Sequence, residues 1–217
     1  MLIRENDHRA IILCIYVDDA LMVRDLRAIE KMVSQLKTKV SLKDSGPLSE
    51  YVGCAMVKDP NKQKLWMWQL DLIAKLEGTF KSQIQKLQIY KTPAASGEII
   101  FRSQEVLEVI HAETHSLYRS GVGMLLYLVK FSTLEISNAV REAAKANIRP
   151  TKAHMKSLYR LIKFVTNTKN HMLAIDPMQP AGKNVWEIIA YSDYAMDKDG
   201  RKSVTGFVIY ILGCLVR

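Results

Sequence analysis

Ile11-Ile12-Leu13-Cys14-Ile15-Tyr16-Val17-Asp18-Asp19-Ala20-Leu21-Met22-Val23 sets an adjacent pair of carboxylates between two apolar runs. Short β-branched runs around a polar break predict two buried strands joined by a tight turn. Aspartate suits such a turn because its side chain caps nearby backbone N–H groups, so a solvated tip is the plain reading of an Asp-Asp pair. Two carboxylates fixed on a rigid hairpin have a second use. Their hard oxygens suit Mg²⁺, and a pair of such ions stabilises the attacking and leaving oxygens of an in-line phosphoryl displacement. Asp18 and Asp19 are therefore candidate catalytic and metal-binding residues.

The rest of the chain bounds that reading. Its 217 residues allow one large domain or two modest ones, and 48% apolar residues are enough for an ordinary core. Cys14, Cys54 and Cys214 lie far apart in apolar runs. They read as small buried hydrophobes of a reducing compartment, without a disulfide framework. No charged-then-apolar leader opens the chain. The longest nearly uncharged apolar stretch, Val204 to Val216, is too short to span a bilayer. An intracellular protein without a membrane segment is expected. The net charge is +9, and it is concentrated: residues 116–170 carry ten Lys and Arg against two Glu. Such a basic region suggests a polyanionic partner, nucleic acid first and an acidic membrane second.

Taken in order, residues 1–10 read as an incoming strand or a frayed end. Helical spacing follows over Arg24 to Val40, through Ile29, Met32/Val33, Leu36 and Val40. Ser45-Gly46-Pro47 breaks the chain. Glu50 to Val57 and Leu65 to Trp68 read as two strands joined by Lys58 to Lys62, and Gln69 to Phe80 as a second amphipathic helix. Lys91 to Gln104 is a linker, Val106 to His115 an acidic helical stretch. Three helices are predicted over Leu117–Phe131, Leu134–Ile148 and Thr151–Thr166, then strands over Trp186–Tyr191 and Val204–Leu212.

The helix from Thr151, a plausible N-cap after Pro150, is the clearest pattern in the second half. Met155, Leu158, Ile162 and Val165 fall on one face, and Lys152, Lys156, Arg160 and Lys163 on the opposite one. Most charged stripes are solvated faces. This one holds no acid within the most basic part of the chain, so phosphate-backbone contact is the favoured expectation, giving salt-dependent affinity without base specificity.

Several segments resemble, in collinear order, the reverse transcriptase of copia-type retrotransposons. Tyr16-Val17-Asp18-Asp19 resembles the family's YxDD palm hairpin. Glu50-Tyr51-Val52-Gly53-Cys54 is similar to its primer-guiding strand and Lys91-Thr92-Pro93 to its Thr-Pro linker. Tyr118-Arg119-Ser120-Gly121-Val122-Gly123-Met124-Leu125-Leu126-Tyr127-Leu128 is similar to its Tyr-Arg-Ser…Gly-x-Leu-x-Tyr-Leu helix. Ile136 to Val140 and Pro150 to His154 continue the order, and Arg201 to Phe207 resembles the opening of its ribonuclease H domain. The resemblance implies an α+β fold: residues 1–90 as a partial polymerase palm, 91–115 as linker, 116–170 as a basic, thumb-like helical region, and 185–217 as the truncated start of a ribonuclease H-like domain with a terminal β-hairpin. It implies RNA-directed DNA polymerase chemistry (nucleotidyl transfer with two Mg²⁺ ions), an RNA template and a DNA primer as partners, and no small-molecule cofactor.

The sequence also departs from that family. The family's first catalytic aspartate lies on a strand upstream of the hairpin, in a segment this chain lacks. Thr133-Leu134-Glu135 replaces its usual Arg-Pro-Asp. In Tyr191-Ser192-Asp193-Tyr194-Ala195-Met196-Asp197 the ribonuclease H opening is two residues short, so Asp193, a candidate nuclease metal ligand, could stand for either of two family aspartates. A two-ion site is expected to be under-coordinated, and the isolated chain to have little or no polymerase activity. The competing readings are a non-catalytic nucleic-acid-binding remnant that uses the basic face, and a degenerate fragment without a selected role.

Weaker signals have plainer alternatives. His111 and His115 stand four apart, but the Glu is displaced from the zinc-protease order and a third ligand is missing, so a surface helix is favoured. His154 reads either as a phosphate contact or as a surface histidine. Trp66 and Trp68 should share one strand face, as core or interface more readily than as a base-stacking platform. Gly121-x-Gly123 lacks a dinucleotide fingerprint and reads as a close helix contact.

Overall fold

The computed structural model describes residues 2–6, 9–61, 64–97, 110–176, 186–192 and 201–215. Helices and antiparallel strands occupy separate stretches, the α+β class expected. The chain divides into two compact units, Met1–Val57 and Lys58–Arg217.

The first unit is built on β1 (Leu2–Asn6), β2 (Arg9–Tyr16) and β3 (Asp19–Val23), an antiparallel sheet in that order. Leu13 opposes Met22, Cys14 opposes Leu21 and Tyr16 opposes Asp19. Side chains alternate across a strand. Ile11 and Leu13 are accordingly buried, whereas Ile12, Ile15 and Val23 are exposed. The expectation of two fully buried strands is therefore corrected to strands covered on one face. Helix α1 (Leu26–Lys37) starts where the Asp25 carboxylate accepts a 3.1 Å hydrogen bond from the Ala28 N–H. The single strand expected over Glu50 to Val57 is instead a hairpin of β4 (Glu50–Tyr51) and β5 (Cys54–Lys58). Val52 and Gly53 have φ of 53° and 67°, the two positive values of a type I′ turn.

In the second unit β6 (Leu65–Trp68) pairs with β7 (Leu173–Ile175), a strand the sequence pattern did not reveal. Helices α2 (Leu70–Thr79), α3 (Lys81–Ile84), α4 (Ala112–Phe131), α5 (Ser137–Lys145) and α6 (Lys152–Asn167) pack around one core. Tyr118, Val122, Leu125 and Leu128 of α4 meet Val140 of α5 and Leu158 and Ile162 of α6, all without solvent exposure. Gly121 permits this approach: a Cβ there would lie 2.8 Å from Phe80 Cζ and 3.2 Å from Leu158 Cδ2. Gly123 faces open space, so only the first glycine of that pair serves packing. The buried Tyr118 hydroxyl donates a 2.7 Å hydrogen bond to the Ala143 carbonyl, tying α4 to α5. Burial pushes the Tyr118 phenol well above its ordinary value.

The helix expected over Val106–His115 begins only at Ala112, and residues 98–109 lie outside the described ones. The predicted Leu134–Ile148 helix is a 3₁₀ turn, Leu134–Ile136, followed by α5. Strands β8 (Trp186–Ser192), β9 (Thr205–Ile211) and β10 (Cys214–Leu215) form an antiparallel sheet in the order β10-β9-β8. Every residue of β8 is exposed.

Candidate metal hairpin and basic helical face

Tyr16 and Asp19 close the β2–β3 turn as its last paired residues, leaving Val17 and Asp18 as the two turn residues. Val17 has φ of 54°, while Asp18 is not among the positive-φ residues, the sign pattern of a type II′ turn. A β-branched residue is strained there, and the first turn position ordinarily belongs to glycine. The two carboxylates thus differ in setting: Asp18 sits at the tip and Asp19 begins β3. Both carboxylates are exposed, and among the described residues neither side chain has a hydrogen-bond or ion-pair partner.

Tyr51 stands close enough to this site to feel it. Its phenol is pushed above the ordinary value by burial first, then by the charges of Cys14 and Asp19. In sequence Glu50–Cys54 stands as a separate motif; the β4–β5 hairpin brings its tyrosine into the electrostatic neighbourhood of Asp19. Sequence spacing alone carried no signal of that approach.

The donor atoms suit Mg²⁺ in kind, being carboxylate oxygens without competing partners among the described residues. They fall short in number. Among the described residues no group of three or more His, Cys, Asp or Glu side chains could hold a metal ion. Asp193, the candidate nuclease ligand, lies outside the described residues.

In the second unit, α6 is capped as expected, in more detail than its sequence revealed. The Thr151 Oγ1 accepts from the His154 N–H at 3.3 Å, and His154 Nδ1 accepts from the Thr151 N–H at 3.0 Å. His154 is buried in this capping box, so both surface readings of it are corrected. Lys152 and Lys156 are exposed and Lys163 is half-buried, none with an ion-pair partner among the described residues. Arg160 differs from them. Its guanidinium lies 4.3 Å from the Tyr90 ring centroid and donates to Thr92 Oγ1 at 3.1 Å and to the Ala94 carbonyl at 3.3 Å.

Of the weaker candidates, His111 is the exposed residue preceding α4, and His115 Nε2 lies 2.8 Å from the Asn147 carbonyl. Trp66 and Trp68 are half-buried in β6, with Trp66 opposite Ala174. No helix among the described residues is long and apolar enough to cross a membrane.

The chain is a relative of copia-type retrotransposon Pol polyproteins, the class to which its ordered motifs pointed. In particular, it is 26% identical over 214 residues to the retrovirus-related Pol polyprotein from transposon TNT 1-94 of Nicotiana tabacum, a match covering 97% of this chain and 16% of that protein. It is 27% identical over 202 residues to the retrovirus-related Pol polyprotein from transposon RE1 of Arabidopsis thaliana, covering 91% of this chain and 13% of that protein. An uncharacterized mitochondrial protein of Arabidopsis thaliana is 27% identical over 210 residues, 93% of this chain and 79% of that protein. The chain therefore spans less than a fifth of either polyprotein. No protein-family model and no solved structure matches it.

Proposed function

We propose that this chain supplies parts of an RNA-directed DNA polymerase: the metal-binding hairpin of the palm within residues 1–90, a nucleic-acid-holding helical region at 116–170, and the first strands of a ribonuclease H-like domain at 185–217. The observation that carries the proposal is the Tyr16-Val17-Asp18-Asp19 turn, which presents one carboxylate at its strained tip and one on the first residue of β3, both without partners among the described residues. In this reading Asp18 and Asp19 hold Mg²⁺, which when bound supplies charge stabilisation for phosphoryl transfer. Two carboxylates alone are a sparse ligand set for two ions, so the 217-residue chain by itself is expected to bind the metal weakly and to transfer nucleotides at background level.

Primer extension on a primed RNA template with Mg²⁺ tests this directly. Background activity is expected from the purified chain, and robust extension lost on Asp18→Ala would overturn the expectation of inactivity. The hairpin's role has its own measurement: Mn²⁺ should broaden the amide signals of Asp18 and Asp19 selectively, and Asp18→Asn should abolish the effect.

The second reading, a non-catalytic nucleic-acid-binding chain, is favoured by a different observation. Lys152 and Lys156 stand exposed on one helix face with no acid paired to them among the described residues. Binding through phosphates alone would fall steeply with salt and show little sequence preference.

A further inference from the structure

The cationic row of α6 contains one member that is held by the protein itself. The Arg160 guanidinium packs on Tyr90 at 4.3 Å and donates to Thr92 Oγ1 and to the Ala94 carbonyl, at 3.1 and 3.3 Å. Each of these partners is neutral. No carboxylate balances the charge among the described residues, and the buried Arg160 Nε has no hydrogen-bond partner. A phosphate offers a guanidinium a bidentate pairing with charge on both partners, whereas in the present contacts only the donor is charged. The neutral contacts are therefore ones that a phosphate oxygen can outcompete.

The loop that makes them borders a cleft of about 210 Å³, with Pro93, Ala94 and Ala95 on the loop side and Ala139 and Leu161 among the residues on the helix side.

The geometry points to the Tyr90–Ala94 loop as a strap that masks Arg160 from polyanions. With the strap closed, nucleic acid meets Lys152, Lys156 and Lys163; with it open, the row gains a fourth cation of matched helical spacing. This inference rests on the reading of the basic face as a nucleic-acid contact and adds to it a built-in limit on affinity.

The test is fluorescence anisotropy of a short fluorescein-labelled RNA–DNA hybrid, titrated with the 217-residue chain across a KCl series. Arg160→Lys keeps the charge but loses the planar fork that grips the strap, and Tyr90→Ala/Thr92→Ala removes the grip from the other side. Both should tighten binding and steepen the slope of log K against log salt by ~0.9, the value of one added phosphate contact. Arg160→Ala should leave affinity within about two-fold of the wild type, since a masked cation contributes little to counterion release. Weaker binding by Arg160→Ala, or no tightening by Arg160→Lys, would overturn the strap while leaving the basic face intact. No loss of binding by Lys152→Ala/Lys156→Ala would remove the basic-face reading, and the strap with it.

Discussion

The Asp-Asp hairpin and the α4–α6 core are built on opposite terms. Among the described residues of the hairpin unit the buried apolar ones are Ile11, Leu13, Val33, Val52, Cys54 and Met56, while Ile12, Ile15, Val23 and Leu26 face solvent. In the helical unit Tyr118, Val122, Leu125, Leu128, Val140, Leu158 and Ile162 are fully enclosed. Stability per residue follows buried apolar area. The helices should be the better-anchored part, and the hairpin, which carries the carboxylates, the more easily opened one. Local opening free energies differ in this way across many folds, with functional loops at the low end.

The largest expected effect tests that contrast in the core. Leu158→Ala should cost about 2–5 kcal/mol from lost transfer energy and the cavity left behind, while Leu13→Ala, on a one-sided sheet, should cost clearly less. Urea unfolding of both variants decides it; equal losses would break the comparison. Next is Gly121→Ala, whose added carbon meets the Phe80 ring and should cost about 1–3 kcal/mol. Gly123→Ala, in open space on the same helix, should instead gain up to about 1 kcal/mol. Thr151→Ala breaks one half of the α6 capping box and should cost ~1 kcal/mol in thermal unfolding.

Two smaller effects belong to the hairpin unit. Val17→Gly relieves a left-handed strain of about 1–3 kcal/mol but frees the unfolded chain, so the net rise should not exceed about 1 kcal/mol. A fall in melting temperature would mean the turn is not strained. The Cys54 thiol is pushed up from 9.0 to about 11, by burial first and then by the Glu50 charge. The folded state therefore keeps a proton that the unfolded state releases. Stability linked to Cys54 is fully present below pH 9.0 and is lost as pH rises toward about 11. Cys54→Ala should flatten that part of the decline relative to wild type, measured by chemical denaturation at each pH.

Element types were largely legible from the chain. The Thr151 cap, the apolar stripe of α6 and the helix through Tyr118–Phe131 follow local periodicity, which sequence reports directly. The errors have physical causes. Glu50–Val57 alternates well enough for one strand, and only the positive φ of Val52 and Gly53 folds it back. Strand β7 has three residues and no pattern of its own; it exists because β6 offers an edge. His154 resembled a surface residue because a histidine in a capping box carries no composition signal.

Sequence by itself determined the class of the chain, its Asp18-Asp19 motif and the basic face of α6. These are properties of residue order and spacing, and order is what the chain encodes without folding. Tertiary structure alone decided that Tyr51 stands within electrostatic reach of Asp19, that Gly121 and not Gly123 admits a neighbouring ring, and that Arg160 is held by a loop 66 to 70 residues away in sequence. Such contacts depend on which surfaces meet once loops close, and local propensity contains no term for that.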